Sequence, residues 1–121
     1  MIVVNSNMVF EANLSVVLEL MGPDNYPLSE IERMLAVLKW ELDVDLALSG
    51  HAKLTKVEDI RHNDAAGYEV AVVFDVQLRP FDEADAESWE FSWHDTGEFL
   101  SFDAKMPDDW EITGQRSLHV I

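Results

Sequence analysis

Alternating apolar and polar residues near the N-terminus predict a long strand with one buried face. Between Met8 and Met21 every even position is apolar, whereas odd positions such as Glu11 and Glu19 are polar or charged. Successive side chains of a strand point to opposite faces, so one face is expected to be dry and the other wetted. This pattern favours an antiparallel sheet, because parallel strands are usually apolar on both faces.

A helix is predicted after the Pro- and Gly-containing turn at residues 22–27. Ser29 and Glu32 have the spacing of a capping box, in which each side chain binds a free backbone N–H of the first turn. The apolar residues of this segment fall at helical spacing and form one stripe. They are Ile31, Met34, Leu35, Leu38 and Leu42. We expect the helix to end near Leu42, with a strand-like alternation from there to Ser49 as the competing interpretation, and Gly50 as the stop.

A hairpin is predicted around a turn at residues 63–67. Lys53 to His62 mixes polar and apolar residues, and Tyr68 to Leu78 has the strongest alternation in the chain. The Asn, Asp and Gly of the intervening turn are typical of hairpin connections. Pro80 is expected to end the second strand because it lacks a backbone N–H.

The composition changes after Pro80. Residues 82–111 contain eleven acids, one base and three of the four tryptophans. Alternation from Trp89 to Trp93, a turn at residues 95–97 and an apolar segment at 99–102 predict a second hairpin with aromatic residues on one face. Two short closing strands are expected at Trp110–Thr113 and Ser117–Ile121, on either side of Gly114.

These elements predict a single α+β domain over residues 1–121. We expect an antiparallel or mixed sheet with one main helix packed on it, plus a C-terminal aromatic and acidic hairpin extension. Residues 1–81 would form the strand–helix–hairpin core, and residues 82–121 the extension. A chain of 121 residues suffices for one domain with one core.

The net charge excludes several function classes. The formal charge is -16, with 24 acids against 8 bases, and hydrophobic residues make up 48% of the chain. A direct nucleic-acid binder or a protein held on anionic lipid would need a basic surface, so neither is expected. The chain has no cysteine, which excludes disulfides and Cys-ligated zinc. No apolar segment approaches the length of a membrane span.

No motif with known chemistry is present. The sequence lacks a Gly-rich phosphate loop, a Gly-x-Ser-x-Gly elbow and a His-Glu-x-x-His pair. Adjacent acids such as Asp108 and Asp109 are common in so acidic a chain, and none has calcium-loop spacing. We therefore predict that the protein is not an enzyme, with no catalytic residue, cofactor or metal site.

Two sets of residues after Pro80 are candidate binding surfaces. Aromatic side chains are frequent interface anchors, although a packed sheet face is the alternative for them. The acids either form a solvated face or act as a charged surface that repels or imitates DNA. The candidate interface consists of Trp89, Phe91, Trp93, Phe99 and Trp110. The candidate acidic face consists of Asp82, Glu83, Asp85, Glu87 and Glu90.

The succession of strand, helix and hairpin follows a known arrangement. It consists of the strand Ala12–Leu20, the helix start Pro27-Leu28-Ser29-Glu30-Ile31, and the turn Asp64-Ala65-Ala66-Gly67 with the strand to Leu78. In this order the chain resembles the minor tail protein U family of lambdoid phages, the tail terminators, over about Phe10 to Phe81. That family begins with a helix and ends near the hairpin, whereas this chain begins with a strand and continues for 40 residues.

The resemblance implies a structural protein of a phage virion tail or neck, of the terminator or completion type. Such a protein forms a homohexameric ring, contacts neighbouring virion proteins, and is assembled in the host cytoplasm. It makes no sequence-specific contact with nucleic acid and none with a membrane. The charge supports an alternative: a small acidic inhibitor, either an anti-restriction or anti-CRISPR DNA mimic or a toxin immunity protein, whose acids occupy a basic groove.

Overall fold

A computed structural model describes residues 2–4, 9–45, 48–63, 67–80, 89–91 and 96–121. Most of these residues lie in strands, and there is one main helix. In chain order the elements are β1 (Ile2–Val4), β2 (Phe10–Met21), α1 (Leu28–Val37), β3 (Trp40–Val44), β4 (Leu48–Asn63), β5 (Gly67–Pro80), β6 (Trp89–Phe91), α2 (Thr96–Phe99), β7 (Leu100–Ala104) and β8 (Glu111–Val120).

A four-stranded antiparallel sheet forms the centre of the structure. Its strand order is β4-β5-β2-β8, and two ribbons, β3–β7 and β1–β6, accompany it. All of these pairs are antiparallel. The α+β class is therefore confirmed in its coarse form, although strands rather than the helix dominate the structure.

The alternation predicted for β2 and β5 is confirmed. The even residues of β2 from Leu14 to Leu20 are buried, and they lie opposite the buried even residues of β5. Residues Ile31 and Leu35 of α1 pack into the same cluster, as do Trp40 of β3 and Phe102 of β7. One face of the sheet thus forms the core beneath α1 and the β3–β7 ribbon, and we call the opposite face the outer face.

The predicted capping box is wrong. The helix begins at Leu28, and its N-cap is Pro27, which offers no side-chain hydrogen bond. The first backbone bonds of the helix are made to the Pro27 carbonyl, which accepts from the amides of Glu30 and Ile31 over 3.0 and 3.2 Å. Proline suits this place because its ring fixes φ near −60°, as observed, and the helix does not use the N–H that proline lacks.

The helix is also shorter than predicted, ending at Val37 rather than near Leu42. Leu38 is extended, and β3 follows at once. The strand-like alternation prevails because Trp40, Leu42 and Val44 pack against the core when β3 pairs with β7. The indole N–H of Trp40 donates to the Leu35 carbonyl over 3.2 Å, which satisfies a carbonyl near the end of the helix.

Gly50 does not stop the helix but lies inside β4. A Cβ atom at this position would lie 2.7 Å from Cδ2 of Leu42 and 3.0 Å from Cδ2 of Leu78. The missing side chain therefore gives β3 the room to pack against the main sheet.

The predicted C-terminal hairpin is wrong as well. β6 pairs with β1, residues 96–99 are helical, and β7 pairs with β3. The two short closing strands form one strand, β8, which pairs with β2 across two register shifts. Pairing between segments close in sequence is the usual expectation for a hairpin. Instead, β7 pairs with β3, which lies some 60 residues earlier in the chain.

One amide side chain joins β8 to the β3–β7 ribbon. Gln115 Oε1 accepts from the Phe102 amide over 2.8 Å, and Gln115 Nε2 donates to the Leu100 carbonyl over 3.0 Å. The side chain thereby binds β7 much as a neighbouring strand would. It satisfies two half-buried backbone groups that would otherwise lack partners.

Candidate functional site

Two of the predicted interface aromatics, Phe99 and Trp110, are core residues rather than exposed anchors. They are 7% and 8% exposed. The Trp110 ring centroid lies 5.2 Å from that of Tyr26 and 5.4 Å from that of Tyr68. The ring also lies on Gly22, where a Cβ atom would approach it to 2.4 Å. Burial of these rings therefore stabilises the monomer and leaves neither available to a partner in this structure.

Only some of the other candidate residues are among those that the structure describes. Trp89 and Phe91 lie in β6 opposite Val4 and Ile2, so the ribbon pairs them with the N-terminal strand. Glu90 lies between them, opposite Val3. The remaining residues, Trp93, Asp82, Glu83, Asp85 and Glu87, lie outside the described residues.

A polar groove crosses the outer face over three neighbouring strands. Its volume is about 470 Å³, and its floor is formed by Ala12, Val76 and Ala52, which the strand registers place between the polar side chains. The flanking side chains form two rows across the strands, as the registers of β2, β5 and β4 require. One row consists of Glu11, Gln77 and His51, and the other of Asn13, Asp75 and Lys53. We refer to these six side chains and their floor as the groove.

An ion-pair network occupies the other end of the outer face. Arg116 Nη2 lies 2.7 Å from Glu69 Oε1, and Arg116 Nε lies 3.2 Å from Glu19 Oε1. The hydrogen bond and negative charge of Glu69, with a smaller contribution from Glu19, raise the pKa of Arg116 above its usual value. Arg116 belongs to β8, Glu19 to the neighbouring strand β2, and Glu69 to β5 beyond it, so this exposed network links β8 to two strands of the sheet.

Carboxylates line the outward side of the β3–β7 ribbon. Glu41 and Asp43 alternate along β3, Asp45 follows directly, and Asp103 of β7 lies opposite Glu41. All four are exposed. Like charges directly opposite each other destabilise a strand pair, so the ribbon tolerates an electrostatic cost there. We call these four residues the acidic ribbon face; the alternation of acids after Trp40 was its sequence signal.

The described residues contain no group of three or more His, Asp or Glu side chains arranged to hold a metal ion. Nor is any helix among them long and apolar enough to cross a membrane. Comparisons with models of protein families, with curated proteins and with solved structures find no match for this chain.

Proposed function

We propose that this protein is a structural subunit of a phage tail or neck, of the terminator or completion type, and that its copies assemble into a closed ring. The observation that carries the proposal is the pair of edges of the main sheet. β4 and β8 lie at its two ends, and each pairs with only one strand among those described. Unpaired N–H and C=O groups on such edges can bind another strand.

The strand directions suit a head-to-tail junction between copies. Neighbours in the four-stranded sheet alternate in direction, so β4 and β8 run in opposite directions. When β8 of one copy lies beside β4 of the next, the new pair is antiparallel and the core faces stay on one side. Repeating this contact generates a ring if the rotation between copies closes.

The irregularities of the edges restrict where such a junction forms. β4 has register shifts between Leu54 and Lys56 and between Val57 and Asp59. Bulges and edge lysines hinder unspecific strand pairing. The regular stretch of β4, from Leu48 to Leu54, is therefore the segment expected to receive the neighbouring β8.

The absence of cysteine allows a direct test by cross-linking. His51→Cys places one thiol on β4, and Ile121→Cys places one directly after β8; both positions are exposed. The registers place them at the same end of the sheet, level with Glu11 and Asn13 of β2. When the two variants are mixed and treated with a short bis-maleimide, a covalent heterodimer is expected. A chain carrying both substitutions should give a ladder that ends at the ring size measured by native mass spectrometry.

Asp108→Cys mixed with His51→Cys is the matched control and should give only background cross-linking, because Asp108 precedes the opposite end of β8. A ring that persists without the heterodimer would show that assembly uses other surfaces. A protein that stays monomeric at high concentration in native mass spectrometry and electron microscopy would overturn the proposed function itself.

A second candidate is favoured by the acidic ribbon face: a small inhibitor that occupies the nucleic-acid groove of a basic protein. Residues two apart on a strand are separated by about 7 Å, so Glu41 and Asp43 form a row of negative charges. Asp45 follows directly after the strand and adds a third exposed carboxylate. Such a row attracts a basic partner at long range and steers its association. Salt should therefore slow the association strongly.

The test compares two charge reversals of equal size. We expect inhibition in a panel of purified restriction enzymes, CRISPR effector nucleases and toxin nucleases, and expect the Glu41→Lys, Asp43→Lys, Asp45→Lys variant to lose at least tenfold in affinity. The control reverses Asp24, Asp108 and Asp109, which lie outside the acidic ribbon face. Equal inhibition by both variants, or none by the parent, would contradict this function.

A further inference from the structure

The groove is large enough for one small cyclic molecule but too short for an extended peptide. It spans β2, β5 and β4, and strands in a sheet lie about 4.8 Å apart, so its length is about 10 Å. Its two rows are two residues apart along each strand, which separates them by about 7 Å. An extended peptide would need a longer surface to bind several residues.

The groove offers hydrogen-bonding groups that the fold does not use. Gln77 Nε2 donates to Glu11 Oε1 over 2.9 Å and fixes one row. The side chains of Asn13, Asp75 and Lys53 form the other row, yet within the described residues none of the three makes a hydrogen bond or ion pair. The same holds for His51. A ligand can therefore bind these groups without breaking an interaction of the fold.

The side chains of the groove carry both negative and positive charges and include both hydrogen-bond donors and acceptors. Glu11 and Asp75 accept, Lys53 donates, and the amides of Asn13 and Gln77 do both. Two carboxylates against one ammonium disfavour a phosphate, and the scarcity of apolar side chains in the rows disfavours a hydrophobic ligand. A hydroxyl donates one hydrogen bond and accepts two, so a ring bearing several hydroxyls matches this set.

We propose that the groove binds one saccharide ring, with Asp75 and Glu11 accepting from its hydroxyls and Lys53 donating to its oxygens. The site lies on exposed strands in contact with water, so each ligand hydrogen bond replaces one to solvent and contributes at most about tenfold in affinity. Binding is therefore millimolar. This activity is separate from ring assembly and would give the protein a carbohydrate ligand.

The test is an NMR titration of the isotopically labelled full chain with glucose, galactose, mannose, N-acetylglucosamine and uridine, each to high millimolar concentration. We expect saturable shifts in the amides of residues 11–13, 51–53 and 75–77 with at least one of these. Comparing the shifts caused by the free sugars with those caused by uridine distinguishes a free saccharide from the ribose of a nucleoside.

Two matched variants decide whether the groove is responsible. Asp75→Asn removes a charged acceptor and should weaken binding about tenfold, because hydrogen bonds to charged groups are the stronger ones. Asp43→Asn makes the same change on the acidic ribbon face and should leave binding unchanged. No saturable shift with any of the five probes, shifts confined to other residues, or equal binding by Asp75→Asn would overturn the proposal. A preserved spectrum shows that the variants are folded.

Discussion

Replacing Phe74 with alanine is expected to lower the free energy of unfolding by about 3–5 kcal/mol. The side chain is fully buried. Its ring centroid lies 5.1 Å from that of Trp40 in an edge-to-face arrangement and 4.3 Å from that of Phe102 in a nearly parallel stack. Phe74 thus joins the main sheet to both strands of the β3–β7 ribbon, and its loss leaves a cavity between the two layers.

Urea unfolding followed by tryptophan fluorescence measures this effect, since the midpoint shifts with stability. Val37→Ala is the control: Val37 is 83% exposed at the end of α1, and its truncation should change stability by no more than about 0.5 kcal/mol. A loss below about 1 kcal/mol for Phe74→Ala would mean that the ribbon does not pack on the sheet as described.

Replacing Gln115 with leucine should cost about 2–3 kcal/mol, although the two side chains are similar in size. Leucine fills the same space but leaves the Phe102 amide and the Leu100 carbonyl without the partners they have now. A buried polar group that loses its partner suffers the full cost of desolvation. The change acts on the connection between β7 and β8 and on nothing else in the core.

Hydrogen exchange identifies this mechanism more directly than stability does. The Phe102 amide should exchange faster in Gln115→Leu under conditions where other core amides remain protected. Gln77→Leu makes the same substitution where the glutamine bonds only to the exposed side chain of Glu11, so it should change stability by less than about 1 kcal/mol. Unchanged exchange at Phe102 would contradict the role of Gln115.

The parts of the fold that follow from local patterns were predictable, and those that depend on distant partners were not. β2 and β5 alternate over their whole length, and their alternation alone defines the buried face. Leu38 and Leu42, by contrast, fit a helix and a strand equally well, and only the pairing of β3 with β7 decides between them. The same long-range pairing removed the predicted C-terminal hairpin.

The candidate sites also differ in whether a local sequence pattern could predict them. The acids of β3 alternate in the sequence, but this alternation indicates only a strand with one polar face. The fourth carboxylate, Asp103, joins them only through the pairing of β3 with β7. The groove has no local signal at all, because Asn13, Lys53 and Asp75 come from three strands that only the sheet registers bring together. Phe99 and Trp110 resembled interface anchors because composition does not distinguish a buried aromatic residue from an exposed one.

The position of β8 has a consequence for biosynthesis. Arg116 binds Glu19, 97 residues earlier, and β8 pairs with β2, the first strand of the sheet in chain order. During translation β2 is therefore made before the other strands of the sheet, and β8, which covers its second edge, emerges after all of them. Until then the nascent chain exposes an apolar strand with an open edge, which other chains can join. Emergence of β8, rather than emergence of the other three strands, is thus the event that allows this sheet to close.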